Sequence, residues 1–287
     1  MPITQILTHP GGAHKDELLA CSLLAAVHQV PIVRREPTVD DLADPAIAVI
    51  DVGGEHEPAR NNFDHHQFPA DHPPICSLSL VLEHLGVYED ARRFCDWLEP
   101  AEWFDTRGPN VTAKWLGVDR DAMNKLNSPI DVTLLRRFAK AKRLEPGEPL
   151  WEVLCYIGQD LLGYLRDLRS RLDYLAQNSK IWNLGDHEVL FLPRTDPMPD
   201  EPSSGIDRYV DGLDANQIAA LVYPDRRGSG YGLSRHNDNP RYDFTRIADQ
   251  PDVHFAHARG FVAKTSASDV GRIKELLVLA HVTAAPN

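Results

Sequence analysis

The stretch ILTHPGGAHKDE at residues 6–17 decides the fold class. Residues 6–9 are typical of a short strand, and the Pro-Gly-Gly-Ala segment at 10–13 is typical of a tight turn. Residues 17–28 then carry apolar side chains at helical spacing. A strand that leads through a tight loop into a helix is the opening unit of an α/β domain, so we predict a parallel sheet here.

Further segments extend this pattern along the first part of the chain. Residues 31–35 indicate a second strand, and the apolar run at 46–52, bounded by Gly53 and Gly54, indicates a buried parallel strand. Helices are predicted over residues 77–84, 91–97 and 132–141, and a long amphipathic helix over 151–177.

The pattern changes after residue 179. Short extended segments follow at 188–192, 218–223 and 231–234, separated by turns rich in proline and glycine. We therefore predict two domains: a Rossmann-like, parallel-sheet domain over residues 1–179 and a smaller α+β domain over residues 180–287.

Composition limits the function classes. The chain of 287 residues has a formal net charge of −12, which opposes broad electrostatic capture of duplex DNA or RNA and favours a short or small phosphate substrate. No stretch approaches the roughly 20 apolar residues of a membrane span, and the first residues do not resemble a signal peptide. We expect a cytoplasmic protein without membrane partners, whose four cysteines are buried, reduced thiols.

Histidines and aspartates gather at the predicted strand ends. His9, His14 and Asp16 lie where the first strand gives way to its helix, Asp51 lies near the end of a second strand, and residues 64–66 read Asp-His-His. Open α/β sheets bind ligands at this edge. Any one of these residues could be a surface group, and Asp16 could cap the helix, but a chance arrangement of all of them is much less credible.

This residue set predicts a metal site. Imidazoles and carboxylates without thiolates suit Mn²⁺, our first choice, or a similar ion such as Fe²⁺, Co²⁺ or Zn²⁺. Two divalent ions roughly 3.5–4 Å apart can share a carboxylate and acidify a bridging water. Asp51 is the candidate for that shared ligand.

Four motifs resemble those of the DHH phosphoesterase superfamily, and more closely those of its melanocyte-proliferating-gene, or Myg-type, branch. They are THPGGAHKDE at residues 8–17, IDVGGE at 50–55, FDHHQ at 63–67 and FAHARGF at 255–261. The chain departs from the branch at Ala13-His14-Lys15, where an aromatic-His-small pattern is usual, and at Arg259, where a small residue is common. These departures leave the choice of substrate open.

The resemblance implies roles for the metal ligands. His9 and His14 would bind one ion, Asp16, His65 and a later aspartate the other, and Asp51 both. We assign the later aspartate to Asp105. Other acidic residues nearby could compete with it: Asp96, Glu99 and Glu102.

Further residues of the first domain are expected to orient ligands and contact the phosphate, and residues of the second domain are expected to bind substrate. Asp64 is expected to orient His65, since metal-bound imidazoles usually donate their other N–H to a carboxylate or carbonyl, and His66 is expected to face the scissile phosphate. In the second domain, a basic region within an acidic protein suits phosphate binding. The predicted substrate contacts there are Arg235, His257, Arg259 and Gly260.

The expected activity is phosphodiester hydrolysis through attack by a metal-bridging hydroxide. Since relatives in the branch are described as 3′-to-5′ RNA exonucleases, we expect a short single-stranded RNA substrate. Base stacking could use Tyr231, Tyr242, Phe244 and Phe255, and the alternative for each is a place in the core. The alternatives are a pyrophosphatase or cyclic-dinucleotide phosphodiesterase, a non-catalytic metal or nucleotide sensor and, ranked last, peptide or amide hydrolysis. Self-association into a homo-oligomer is also an expectation.

Overall fold

The computed structural model describes residues 2–125, 128–213 and 218–282. The chain divides into two compact units, Met1–Asp167 and Leu168–Asn287. The division falls inside the helix Pro149–Asn178. The boundary between residues 179 and 180 that the sequence suggests stays a prediction.

A six-stranded sheet forms the first unit, in the order β4-β5-β3-β1-β2-β6. The strands are β1 Gln5–Thr8, β2 Ile32–Arg34, β3 Ile47–Ile50, β4 His56–Glu57, β5 Asn62–Phe63 and β6 Arg143–Leu144. β1 lies parallel to both β2 and β3, and β3 lies parallel to β5. β4 and β6 pair antiparallel at the two edges. The predicted α/β class with a parallel core is confirmed.

Burial explains why β3 and the middle of β1 are apolar. Ile6, Leu7, Val49 and Ile50 are fully buried, as expected where helices cover both faces of a parallel sheet. The predicted strand over 46–52 includes Asp51. In the structure β3 ends at Ile50, so Asp51 lies just beyond the strand.

Eight α-helices are described that lie in this unit or, in the case of α8, begin in it: α1 Lys15–His28, α2 Val39–Ala43, α3 Ser77–His84, α4 Tyr88–Phe94, α5 Leu98–Trp115, α6 Arg120–Lys125, α7 Pro129–Lys140 and α8 Pro149–Asn178. α3 has the predicted bounds, and α8 matches the long amphipathic segment closely. α4 ends at Phe94 where residue 97 was predicted, and α5 was not predicted at all. α5 is bent at Gly108, whose φ of 74° lies outside the helical region.

The second unit holds another six-stranded sheet, in the order β11-β12-β10-β9-β8-β7. Its elements are β7 Lys180–Asn183, β8 Glu188–Phe191, α9 Ile206–Asp211, β9 Ile218–Pro224, β10 Tyr231–Arg235, β11 Val253–Ala256, β12 Val262–Thr265 and α10 Val270–Ala280. The pairs are antiparallel except β8 with β9. This is the expected α+β arrangement.

Three of the four aromatic residues considered for base stacking belong to the core of the second unit. Tyr231, Tyr242 and Phe244 are buried in its apolar cluster, whereas Phe255 is 44% exposed. Of these four side chains, only Phe255 is available to a ligand.

The cysteine prediction is confirmed, because Cys21, Cys76, Cys95 and Cys155 are free and buried. Within the described ranges, no helix combines the length and the apolar character needed to cross a membrane.

Candidate metal centre

The loop between β1 and α1 carries the two histidines of the first motif. His9 directly follows β1, and His14 is the N-cap of α1. The His14 backbone N–H donates to both carboxylate oxygens of Glu17, at 2.8 Å each. A glutamate that reaches back to the N-cap amide satisfies an otherwise unpaired donor at the helix start, and it fixes where His14 lies.

His9 presents one ring nitrogen to two carboxylates. Its Nδ1 lies 2.9 Å from the Pro10 carbonyl oxygen, which can only accept, so in the neutral ring the proton resides on Nδ1. Nε2 then lies 3.5 Å from Asp51 Oδ2 and 3.4 Å from Glu17 Oε1. Asp51 and then Glu17 raise the pKa of His9 to about 10. This position attracts a cation, and a metal ion that displaces the Nε2 proton would bind the lone pair of that nitrogen.

Asp51 lies at the centre of the group. Its φ of 59° places it in the left-handed region, which is uncommon outside glycine and turns the chain sharply after β3. Oδ1 accepts a hydrogen bond from Ser77 Oγ at 2.9 Å and lies 3.1 Å from His65 Nε2. Burial alone would raise the pKa of Asp51, but His65 and His9 hold it below its ordinary value. The carboxylate is thus ionised between two imidazoles.

Two buried groups of this centre have no hydrogen-bond partner among the described residues. Both oxygens of Asp16 are in this position, in a side chain that is only 3% exposed. His65 Nε2 is the other: it lies 3.0 Å from Asp105 Oδ2 and 3.1 Å from Asp51 Oδ1, but without hydrogen-bond angles. Unpaired buried polar groups are costly, so donors that converge without bonding each other fit a shared divalent cation.

Electrostatics support the same reading. Burial, followed by repulsion from Asp51 and Asp105, raises the pKa of Asp16 well above its usual range. Burial would lower the pKa of His65, but Asp105 and Asp51 raise it to about 10. The carboxylates of the centre therefore favour protonation of the groups beside them in the metal-free protein, and the same negative potential attracts metal cations.

The geometry favours Asp105 over its competitors. The two carboxylate oxygens of Asp105 contact different histidines. Oδ1 lies 3.9 Å from His14 Nδ1, and Oδ2 is the oxygen that contacts His65. Glu102 is buried, but its oxygens accept hydrogen bonds from Ser79, Tyr88 and Arg92 at 2.6–2.8 Å. Glu99 lies 3.5 Å from Arg92, and Asp96 is exposed. Glu102 thus anchors α5, while Asp105 faces the histidines.

Asp64 contacts a different histidine from the one expected. Its Oδ1 accepts hydrogen bonds from the backbone N–H of His66 at 3.0 Å and from His66 Nδ1 at 2.7 Å. Its Oδ2 accepts from the Gly54 N–H at 2.6 Å. Asp64 therefore orients His66 rather than His65. The donation from Nδ1 leaves Nε2 of His66, a side chain 64% exposed, for another partner.

All six predicted ligands come together in the first unit. Their donor atoms form overlapping groups, in each of which the atoms lie within 4.8 Å of one another: His9, His14, Glu17 and Asp51; His14, Asp16 and Asp105; Asp51, His65 and His66. A cavity of about 340 Å³ opens beside them, lined by His9, His14, Asp51, Asp64 and His66 among others. These groups are compatible with divalent metal ions.

Sequence reasoning missed two members of the site. Glu17 had a usable signal, because an acidic residue three positions after an N-cap is the pattern of a capping box. Ser77, which donates to Asp51, had none, since 26 positions separate the two residues.

The four residues predicted to bind substrate lie near one another in the second unit. Arg235 Nη2 donates to the Arg259 carbonyl at 3.1 Å, and the Arg259 N–H donates to His257 Nδ1 at 3.1 Å. Gly260 has a φ of 69°, and a Cβ there would collide with Asp243, so the turn requires glycine. Contact with substrate stays a prediction.

One structural comparison spans nearly the whole chain, whereas the family model matches only part of the first unit. A solved structure described as the DHH domain of a member of a family of ribosomal proteins aligns with 97% of this chain and 85% of that chain, at 12% identity and a TM-score of 0.32. Residues 5–86 match the model of the MYG1_exonuc family, described as Uncharacterised protein family (UPF0160).

Curated relatives match a shorter stretch. The MYG1 exonuclease of Homo sapiens is 48% identical over 67 residues, and that of Rattus norvegicus is 46% identical over the same length. Each match covers 22% of this chain and 17% of the relative, so the chain aligns with less than a fifth of their length. The N-terminal region of the chain, which holds five of the six predicted metal ligands, is thus similar to the MYG1_exonuc family and to the MYG1 exonucleases.

Proposed function

We propose that this protein is a metal-dependent phosphodiesterase that removes nucleotides from the 3′ end of short single-stranded RNA. One observation carries the proposal. The buried Asp16 carboxylate, which has no hydrogen-bond partner among the residues that the structure describes, lies with Asp51, Asp105 and three histidines at the edge of a parallel sheet. The curated relatives are named exonucleases, which supports the same chemistry.

The ligand set fits two divalent ions, and we propose Mn²⁺ because the donors are imidazoles and carboxylates without thiolates. His9, His14, Asp16, Asp51, His65 and Asp105 would hold them. When bound, such ions supply an activated water and stabilise charge on phosphate oxygens.

The chain's own residues supply the proton chemistry. Asp64 holds Nδ1 of His66, so the exposed His66 can act at Nε2 as an acid towards the leaving oxygen. Ser77 and the backbone turn at Asp51 keep the central carboxylate in place.

Charge supports a short substrate. A net charge of −12 disfavours duplex binding, while Arg235, His257, Arg259 and the backbone at Gly260 would bind phosphate or sugar oxygens. The proposed partners are therefore short single-stranded nucleic acid or a small phosphate compound, with no membrane partner. Self-association into a homo-oligomer remains part of the proposal.

One observation favours a second candidate. Because Tyr231, Tyr242 and Phe244 lie in the core, Phe255 alone of the stacking residues considered is exposed. A pyrophosphatase or cyclic-dinucleotide phosphodiesterase needs less stacking surface, so a small-molecule phosphohydrolase is the alternative.

The test is Mn²⁺-dependent cleavage of a short, 5′-labelled single-stranded RNA, run beside matched DNA, pyrophosphate and a metal-free control. Stepwise shortening of the RNA is the expected result. Asp51→Asn should abolish it, whereas Asp44→Asn, which alters an exposed aspartate outside the centre, should not. Phosphate release from pyrophosphate alone would move the assignment to the alternative, and absence of turnover by metal-loaded protein would refute both.

A further inference from the structure

Arg34 lies beneath the loop that carries His9 and His14. It is the last residue of β2, which pairs with β1, and it is only 5% exposed. Its Nε donates to the His9 carbonyl and its Nη2 to the Gly12 carbonyl, each at 3.1 Å. One guanidinium thus holds the loop at two points.

Two further contacts fix the guanidinium itself. Nη2 lies 3.8 Å from Oε1 of Glu17, which is fully buried. The Cζ atom of Arg34 lies 4.4 Å from the centre of the Phe138 ring on α7. Glu17 balances the buried charge of Arg34 and also binds the His14 amide, so one connected set of contacts reaches both histidines.

We infer that Arg34 is a positioning residue that builds the His9–His14 half of the metal centre, so that its loss selectively weakens the binding of one divalent ion. The inference rests on the two-ion centre proposed above. The His9 carbonyl that Arg34 binds belongs to a ligand residue, so releasing it lets the His9 ring leave its place beside Asp51. The other half is supported differently, since Asp105 lies on α5 and His65 follows β5.

The residue type matters as well as the charge. The planar fork of arginine can donate to two carbonyls while its face stacks on an aromatic ring, and a lysine ammonium cannot do all three. Arg34→Lys should therefore resemble Arg34→Met rather than the unchanged protein.

The first experiment titrates the metal-free full chain with Mn²⁺ by calorimetry. Arg34→Met and Arg34→Lys should each weaken one of two sites by about tenfold or more, the scale of losing a group that orients a ligand, and leave the other unchanged. Arg35→Met is the matched control, because Arg35 pairs instead with Asp41, at 2.7 and 2.8 Å, and should keep both sites. Equal weakening of both sites, or wild-type affinity at both, would overturn the inference.

A second readout needs no metal. In chelator, the amides of residues 11–14 should exchange with deuterium faster in the Arg34 variants than in the wild type or in Arg35→Met. If the wild type bound no Mn²⁺, the proposed function would fail, and this exchange would still decide whether Arg34 holds the loop. Unchanged exchange would refute it, and Arg34→Lys provides the answer if Arg34→Met does not fold.

Discussion

At the scale of single residues, Asp16 shows that a side chain suited to metal binding can destabilise the metal-free fold. Its carboxylate is buried without a hydrogen-bond partner in the described parts of the chain, beside Asp51 and Asp105. A structural role would pair such a group, because an unpaired buried carboxylate destabilises the fold. In a metal site the bound ion would be the partner of the carboxylate, so the destabilisation is confined to the metal-free protein.

Asp16→Asn should therefore stabilise the metal-free protein, by about 1 kcal/mol at neutral pH, because it removes a carboxyl group whose ionisation burial and the neighbouring carboxylates oppose. The same change should abolish metal-stimulated cleavage. Thermal unfolding in chelator, compared with the wild type, measures the first effect. A lower melting temperature in chelator would mean that Asp16 has a stabilising partner, and the argument for an ion there would fall.

Asp64 makes a different kind of contribution, since it acts through His66. Asp64→Asn keeps the size of the side chain but removes the charge that holds Nδ1 of His66. We expect kcat to fall about 10–100-fold while both ions stay bound, as is usual for a residue that orients another. Steady-state kinetics with metal content measured in parallel would test this. Loss of metal with kcat preserved would instead make Asp64 a support for the ligands.

The sequence predicted six ligands but not their contacts, and the residues show why. His9, His14 and Asp16 are close in the chain, and strand ends meet at one edge of a parallel sheet, so their proximity follows from local pattern. The partner of Asp64 depends on the path of the chain at residues 64–66, which no periodicity encodes. Ser77 reaches Asp51 only because α3 begins there.

At the scale of elements, the local sequence pattern predicts α3 but not α5. α3 is regular and was predicted to the residue, whereas α5 contains Gly108 and Pro109, which signal a break. The structure keeps both halves helical across that bend, and the Trp103 and Trp115 rings stack across it, 4.8 Å apart. The Gly-Pro signal thus appears in the structure as a kink, and the helix that carries Asp105 continues beyond it as a second helical segment.

The ends of α1 and α3 should make stability depend on pH. Burial lowers the pKa of His28 in the last turn of α1, with a further contribution from His84, and burial lowers that of His84 in the last turn of α3. Because the unfolded chain then binds these protons more readily, the contribution of His28 and His84 to stability should be full above about pH 6.5 and fall below it. His9 and His65, whose pKa values are raised, act in the opposite direction, so the contribution of His84 is read from the difference between wild type and variant.

Melting temperatures of the metal-free protein between pH 7.5 and 5 would measure this dependence. Replacing His84 with Gln should flatten it, since one of the two protons is then never taken up. His257→Gln, in the second unit, is the matched control. An equally steep loss of stability in His84→Gln would show that other groups cause it.

At the scale of the whole molecule, the two units differ in what an ion could do for them. All six predicted ligands lie in Met1–Asp167, while Leu168–Asn287 closes its own apolar core around β8, β9 and β10. A ligand that binds only the folded state stabilises it by RT ln(1 + [L]/Kd), about 2.7 kcal/mol when its concentration is 100 times Kd. The increase in stability should therefore appear in the first unit, which holds the predicted metal ligands.

Hydrogen exchange measured with and without Mn²⁺ would show which unit the ion stabilises. Saturating Mn²⁺ should slow exchange in β1, β3 and α1, and leave β9 and β10 at the rate seen in chelator. Asp51→Asn should abolish the difference, because the carboxylate shared by two of the donor groups is gone. Protection confined to the second unit would place the ion elsewhere, and protection that persists in Asp51→Asn would remove this carboxylate from the centre of the site.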